Sequence, residues 1–98
     1  MQFDGSVVLR HQLFLPRPYV SPRTATEQKL SDIWCSVLSM DRVGIEDHYN
    51  DLGGDSLAAA LMFSMIQEVF EIEVPTATLI SAPTIAQLAR EIERLLVS

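Results

Sequence analysis

The sequence predicts an all-α protein: a small four-helix bundle of three main helices and one short helix. Apolar residues recur at helical spacing in three separate stretches, and no stretch alternates apolar and polar residues as a half-buried strand does. The chain has 98 residues, of which 48% are hydrophobic, so it can form one domain with a single modest core. Three amphipathic helices bury their apolar faces most readily against one another, which gives a bundle.

Residues 1–23 are predicted to form an N-terminal extension or linker, followed by a folded domain over residues 24–98. The segment contains P-R-P-Y-V-S-P-R, whose three prolines forbid a regular helix and favour an extended tether. The start lacks the charged and apolar regions of a signal peptide, and no apolar run is long enough to cross a bilayer. We therefore expect a cytoplasmic protein that does not bind a membrane.

The first helix is predicted to run from Ala25 to about Met40. Thr24 and Glu27 form a T-x-x-E capping box at its start. Apolar residues then recur at helical spacing: Leu30, Ile33, Trp34, Val37 and Leu38. The single cysteine of the sequence, Cys35, lies inside this pattern, so we expect it to be a buried core residue rather than a reactive thiol.

A long irregular segment, residues 41–55, is predicted after the first helix. Four apolar residues are expected to anchor it to the core: Val43, Ile45, Tyr49 and Leu52. Irregular segments of this length in a compact domain commonly have a function. The segment ends in D-L-G-G-D-S-L at residues 51–57, so a functional residue is expected there.

The second helix is predicted to begin at Ser56 and to end at about Glu71. One face carries its core candidates: Ala59, Met62, Phe63, Ile66, Val69 and Phe70. Between Pro75 and Pro83 there is room only for a short third helix.

The last helix is predicted to follow a second capping box, Thr84 and Gln87, and to continue nearly to the end of the chain. Its apolar residues again recur at helical period: Ile85, Leu88, Ala89, Ile92, Leu95 and Leu96. The first, second and last helices are therefore the three whose apolar faces are expected to build the core.

The charge of the chain limits its partners. Thirteen acidic and seven basic residues give a net charge of −6, which repels phosphate backbones and argues against a nucleic-acid-binding protein. Between Asp41 and Glu73 there are eight acidic residues and one basic residue, and Ser56 lies inside this acidic zone. Basic protein surfaces are therefore the expected partners.

Ser56 needs an explanation because Asp55 alone can cap the second helix. A hydrolase elbow requires G-x-S-x-G after a strand, a phosphate-binding loop requires a lysine after its glycines, and a calcium loop requires a D-x-[DN]-x-[DN]-G frame. None of these patterns is present. A modified serine is favoured instead, since a phosphate ester would lie near the positive end of a helix. Gly53 and Gly54 are expected to leave open space for an approaching enzyme.

Two motifs lie in order along the chain: D-H-Y-N-D-L-G-G-D-S-L at residues 47–57 and A-P-T-I-A-Q-L-A at residues 82–89. With V-P between them, they resemble the thiolation domain, the peptidyl or aryl carrier protein of nonribosomal peptide synthetases, over about residues 20–96. The resemblance implies an acyl-carrier-protein-like fold in which Ser56 is esterified with 4′-phosphopantetheine from coenzyme A. The thiol of that arm carries an acyl or aminoacyl group as a thioester, so the chain is expected to be a carrier without catalysis of its own.

The resemblance also implies partners and site residues. The partners are a phosphopantetheinyl transferase, an adenylating or acyl-loading enzyme, and a condensation or other downstream synthase domain, and the carrier is expected to be a monomer. The cofactor site is predicted to comprise Gly54, Asp55, Ser56 and Leu57, with no metal ion. Helical geometry places a second apolar flank beside the core face of the second helix, predicted to be partly exposed and to bind partners: Ala58, Leu61 and Met65.

Two alternatives stay open on the sequence alone. The first is an acyl carrier protein for polyketide or fatty-acyl intermediates, distinguished by the enzyme that loads it. In the second, the chain is a helical interaction module whose serine is only a cap. Two positions differ from the family pattern, since Asn50 follows Tyr49 where a second aromatic is common and Ile80 replaces a phenylalanine. Residues 14–24, F-L-P-R-P-Y-V-S-P-R-T, resemble the linker that follows an adenylation domain.

Overall fold

The fold, in a computed structural model that describes residues 7–97, is a bundle of four α-helices. Their bounds are α1 Ala25–Leu38, α2 Ser56–Phe70, α3 Thr78–Ser81 and α4 Ile85–Val97. Two 3-10 helices, Arg10–Gln12 and Tyr49–Leu52, precede α1 and α2. No strand is present among the described residues, and the predicted all-α fold with three main helices and one short helix is confirmed. Within the same range, no helix is long and apolar enough to span a membrane.

The first two main helices end slightly earlier than predicted. Ser39 and Glu71 adopt the left-handed conformation, with φ of 55° and 58°. The Ser39 amide donates to the carbonyl of Cys35, and the Glu71 amide donates to the carbonyl of Gln67. A left-handed residue ends a helix while it satisfies one of the last open carbonyls. The predicted ends, at about Met40 and about Glu71, lie two residues and one residue beyond the observed ones.

Both predicted threonine caps are present, and the complete capping box is formed at α4 but only half of it at α1. The Thr24 hydroxyl accepts the Glu27 amide at 3.1 Å, and the Glu27 carboxylate accepts the backbone amide of Arg23 at 2.8 Å. At α4 the box is reciprocal: the Thr84 hydroxyl accepts the Gln87 amide at 3.2 Å, and the Gln87 side chain accepts the Thr84 amide at 3.3 Å. These bonds satisfy helix amides that would otherwise lack partners.

The core lies where α1 packs against α2 and α4. Its buried helical residues include most of those predicted: Leu30, Ile33, Trp34, Met62, Phe63, Ile66, Ile85, Leu88, Ala89 and Ile92. The four predicted anchors of the loop before α2 are buried as well: Val43, Ile45, Tyr49 and Leu52. The loop is thus packed into the bundle although it has little regular structure.

Some predicted core residues lie at the margin of the core. Val69 and Leu96 are exposed, so their assignment to the core was wrong. Both lie in the last turn of a helix, where the apolar period continues although fewer elements remain to cover it. Six other predicted core residues are half-buried: Cys35, Val37, Leu38, Ala59, Phe70 and Leu95. Burial raises the pKa of the Cys35 thiol, as expected for an unreactive cysteine.

The upstream segment, residues 7–23, is attached to the bundle, whereas the sequence predicts an extended tether. The Val8 amide donates to the Ser39 carbonyl at 2.7 Å, and the Ile45 amide donates to the Val20 carbonyl at 2.9 Å. Prolines exclude an α-helix here but leave the other residues free to pair through their backbones. Residues 1–6 of the predicted linker lie outside the described residues, and the domain boundary at residue 24 stays a prediction.

Candidate functional site

Ser56 is the first residue of α2, and it is exposed. Asp55 caps the helix as predicted, since its extended backbone allows its carboxylate to accept the Ala58 amide at 2.8 Å. Within residues 7–97, no protein group forms a hydrogen bond with the Ser56 hydroxyl. The hydroxyl is therefore accessible to an external reagent and is not needed for capping.

The two glycines before Asp55 have different structural roles. Gly53 has φ of 82°, which favours glycine, and the space beside its Cα is open. At Gly54, an added Cβ would lie 2.2 Å from an atom of the Tyr49 ring, so only glycine allows this close approach. The prediction of open space is right for Gly53 and wrong for Gly54, because the Tyr49 ring occupies that space.

Tyr49 connects the loop to the start of α2. Its hydroxyl donates to the carbonyl of Asp55 at 2.8 Å, and its amide donates to the carbonyl of Pro83 at 2.9 Å. Its ring meets the Trp34 ring edge to face, with the centroids 5.6 Å apart. Burial, together with the nearby Asp55 carboxylate, raises the pKa of the Tyr49 hydroxyl. The hydroxyl therefore stays protonated and holds the peptide group that leads into Ser56.

Asp47 is a second fixed point of the loop. Its carboxylate accepts Nε and Nη2 of Arg10, both at 2.7 Å, and the amide of Gly44 at 2.8 Å. The hydrogen bond with Asp47 is the main cause that raises the pKa of Arg10. Sequence reasoning missed this pair because Arg10 lies 37 residues upstream, in the segment assigned to the linker. No local pattern in the sequence marks the pair, since the residues beside Arg10 and Asp47 show no feature that joins them.

A groove with a volume of about 750 Å³ lies beside Ser56, between the start of α2 and α3. On the α2 side it is lined by Gly54, Asp55, Ser56, Ala59 and Ala60, and across from them by Leu79 and Ile80, among others. Three of the four predicted cofactor-site residues thus line one surface. The fourth, Leu57, does not line the groove and is 80% exposed to solvent.

The predicted docking flank of α2 is at least partly exposed. Leu61 is 54% exposed, whereas Ala58 and Met65 are half-buried and pack partly against the core. Sequence reasoning missed Ile80 of α3, which is 86% exposed at the edge of the groove. A single helical turn has too few residues to show an apolar period, so no signal in the sequence indicated which side of α3 faces solvent.

The acidic zone around Ser56 is almost entirely at the surface. Seven of its eight acidic residues are exposed: Asp41, Glu46, Asp51, Asp55, Glu68, Glu71 and Glu73. The exception is Asp47, which is buried against Arg10. Among residues 7–97, no group of histidine, cysteine and acidic side chains is arranged to hold a metal ion. Asp51 and Asp55 are the members nearest to Ser56 in the chain, whereas Glu68, Glu71 and Glu73 lie toward the other end of α2 or beyond it, so the negative charge is spread along this part of the sequence and is not confined to the serine.

Comparison with known proteins identifies a family match over most of the helical part. The chain matches the family described as "Phosphopantetheine attachment site" over residues 28–92, which include Ser56. It is 46% identical over 71 residues to tyrocidine synthase 3 of Brevibacillus parabrevis, a match that covers 72% of this chain and 1% of that protein. It is 42% identical over 74 residues to surfactin synthase subunit 1 of Bacillus subtilis (strain 168), and this match covers 76% of this chain and 2% of that protein. The chain thus spans a very small part of these relatives.

Two solved structures show the same fold. One is a peptidyl carrier protein in complex with the phosphopantetheine transferase Sfp and coenzyme A. It has a TM-score of 0.75 and 34% identity, and the match covers 78% of this chain and 99% of that one. The other is McyG A-PCP complexed with phenylalanyl-adenylate, with a TM-score of 0.72, 28% identity, and coverage of 76% and 12%. The relatives are peptide synthetases, which favours the peptidyl over the fatty-acyl or polyketide interpretation.

Proposed function

This chain belongs to the phosphopantetheine attachment site family as a carrier domain of the peptidyl type, and we propose that Ser56 is the residue that bears its 4′-phosphopantetheine. One observation carries the proposal: the Ser56 hydroxyl is exposed and free of protein hydrogen bonds at the start of α2, beside a groove. The site fits the group, because the amides in the first turn of a helix favour a phosphate.

Attachment makes one ester bond and breaks one anhydride bond. The Ser56 oxygen loses its proton to a base of the transferase and bonds to the pantetheine-side phosphorus of coenzyme A, while adenosine 3′,5′-bisphosphate leaves. The bound group supplies a thiol on a long arm, which holds an acyl or aminoacyl group as a thioester. We propose that the chain itself is a carrier without catalysis, which the match to the phosphopantetheine attachment family supports.

We also propose that partners approach the same face of the domain. Leu61, at 54% exposure, is the main apolar contact of the flank, with Ala58 and Met65 beside it. Such a contact holds a partner, while the surrounding carboxylates steer basic surfaces toward it. The proposed partners are a phosphopantetheinyl transferase, an adenylating enzyme, and a condensation or other downstream synthase domain. A monomer in the cytoplasm, where coenzyme A is available, suits this role.

Intact mass tests the attachment. The full chain is incubated with coenzyme A, magnesium and a broad-specificity phosphopantetheinyl transferase, beside Ser56→Ala and the matched variant Ser64→Ala, which changes another exposed serine of α2. Wild type and Ser64→Ala should each gain the mass of one phosphopantetheine, and Ser56→Ala should gain none. Modification of Ser56→Ala would rule out Ser56 as the attachment residue.

A further inference from the structure

A buried ion pair joins the upstream segment to the loop that precedes Ser56. Nε and Nη2 of Arg10 each lie 2.7 Å from an oxygen of Asp47, and the two side chains are 9% and 1% exposed. The remaining donor to Asp47 is the Gly44 amide at 2.8 Å, while Nη2 of Arg10 also bonds the Arg17 carbonyl at 3.1 Å. Among residues 7–97, two of the three hydrogen bonds to the carboxylate come from the Arg10 side chain.

Further contacts fix Arg10 in place. Its backbone amide donates to the Asp41 carboxylate at 2.7 Å. Its guanidinium carbon lies 5.4 Å from the centre of the Tyr19 ring, and that of Arg42 lies 4.2 Å from the same centre. Tyr19 is thus in contact with one cation from the upstream segment and one from the loop. Arg10 therefore lies within a defined interface between the segment and the loop.

Asp47 lies close to the groups that fix Ser56. Two residues before Asp47, the Ile45 carbonyl accepts the amide of Ala86 in α4. Two residues after it, the Tyr49 amide donates to the carbonyl of Pro83, which precedes α4. The hydroxyl of Tyr49 in turn holds the carbonyl of Asp55 at 2.8 Å, next to Ser56. A displacement of Asp47 would therefore act on Tyr49 and, through it, on the start of α2.

We propose that Arg10 is a positioning residue for the transfer of phosphopantetheine to Ser56, acting through Asp47 and Tyr49. The inference rests on the attachment proposed above. Without Arg10, a buried carboxylate loses most of its compensation and is most stable where water can reach it, which requires the loop to open. The unit that works as a carrier then includes the segment from about Val8 onward together with residues 24–98.

The expected change in the Michaelis constant follows from how the variant divides between an open and a closed loop. If the loop of an Arg10 variant is open for part of the time, only the closed fraction binds the transferase, so the apparent affinity falls by that fraction. Once bound, the closed loop presents Ser56 as in the wild type. The Michaelis constant for the carrier should therefore rise while kcat stays nearly unchanged. A residue that only stabilised the fold would change neither value at a temperature where the variant is folded.

The test uses the full chain with Arg10→Gln and Arg10→Lys, because lysine keeps the charge but cannot make the two-pronged contact. Arg23→Gln is the matched control, since it removes an arginine of the same segment whose ion pair is with Glu27 of α1 and not with Asp47. We expect Arg10→Gln to raise the Michaelis constant about tenfold and to speed amide hydrogen exchange over residues 54–59. For both measurements, Arg10→Lys should give values between those of the wild type and Arg10→Gln. Arg23→Gln should give the wild-type values.

The outcomes separate the two proposals. A wild-type chain that is not modified at Ser56 would overturn the attachment itself. A wild type that is modified, with an Arg10→Gln variant that is folded and has the same Michaelis constant, would overturn the positioning role alone. If Arg10→Gln unfolds, Arg10→Lys takes its place, because it keeps the charge but loses the two-pronged contact with Asp47. A wild-type Michaelis constant in a folded Arg10→Lys variant would then overturn the inference.

Discussion

The hydroxyl of Tyr49 donates a hydrogen bond of 2.8 Å to the carbonyl oxygen of Asp55, the residue that caps α2 and precedes Ser56. The same oxygen accepts the Ala59 amide at 3.0 Å in the first turn of the helix. The peptide group before the serine is therefore held from the loop and from the helix together. The position of Ser56 thus depends on the Tyr49 side chain, which holds the residue before it.

Removal of that hydroxyl gives the first prediction. Tyr49→Phe should lower the free energy of unfolding by about 1 kcal/mol, the net value of a typical hydrogen bond, because the Asp55 carbonyl keeps its bond from Ala59. The ring should keep its contact with Trp34, so the helical circular dichroism should not change. Urea unfolding measures the difference. A loss larger than that of a core truncation would contradict the assignment of one hydrogen bond to this group.

The second prediction concerns alkaline pH. Because burial raises the pKa of Tyr49 in the folded chain, the unfolded chain loses this proton first as pH rises. The contribution to stability is full below about pH 10, the ordinary pKa of tyrosine, and is lost as pH rises through the raised value. Unfolding experiments across this range should show a decline for the wild type and a smaller one for Tyr49→Phe. An equal decline in stability for the two proteins would show that another group causes the pH dependence.

The third prediction concerns Gly54. Gly54→Ala should destabilise the fold by about 1–3 kcal/mol, since the new Cβ would overlap the Tyr49 ring. The loss should shrink in a Tyr49→Leu background, where the smaller side chain leaves room. Gly53→Ala is the control: it strains a left-handed residue, yet nothing lies within 4 Å, so its cost should not depend on residue 49. Additive losses for Gly54→Ala and Tyr49→Leu would contradict the steric explanation.

The fourth prediction concerns the docking flank. Leu61→Gln should raise the Michaelis constant of the adenylating enzyme for the carrier, because it removes an exposed apolar contact. The melting temperature should stay near that of the wild type, as expected for a surface substitution. Leu96→Gln is the matched control, since Leu96 is 47% exposed against 54% for Leu61 but lies near the end of α4. Equal effects of the two variants on loading would place the docking surface elsewhere.

Much of the fold could be predicted because its signals are local. Helical periodicity gave the three main helices, and Thr24 and Thr84 marked helix starts through short-range hydrogen bonds. The helix ends at Ser39 and Glu71 could not be predicted, because neither residue is the glycine that usually adopts this conformation. A serine or a glutamate in this conformation therefore has no signal in the sequence.

The site was predictable only in part. Ser56 and its cap follow from one contiguous motif, whereas the Arg10 to Asp47 pair joins residues 37 positions apart and leaves no mark on either neighbourhood. The close approach of Tyr49 to Gly54 depends in the same way on the path of the loop in three dimensions. Sequence alone therefore found the serine but not the contacts that hold it.

The central claim is that Ser56 alone bears the phosphopantetheine arm. Its most direct test is fragmentation mass spectrometry of the modified full chain, which assigns the added mass to a single residue. We expect all of it on Ser56, and none on Ser64 of the same helix or on Ser81 of α3, both of which are exposed. Phosphopantetheine on any serine other than Ser56, or on none, would contradict the account.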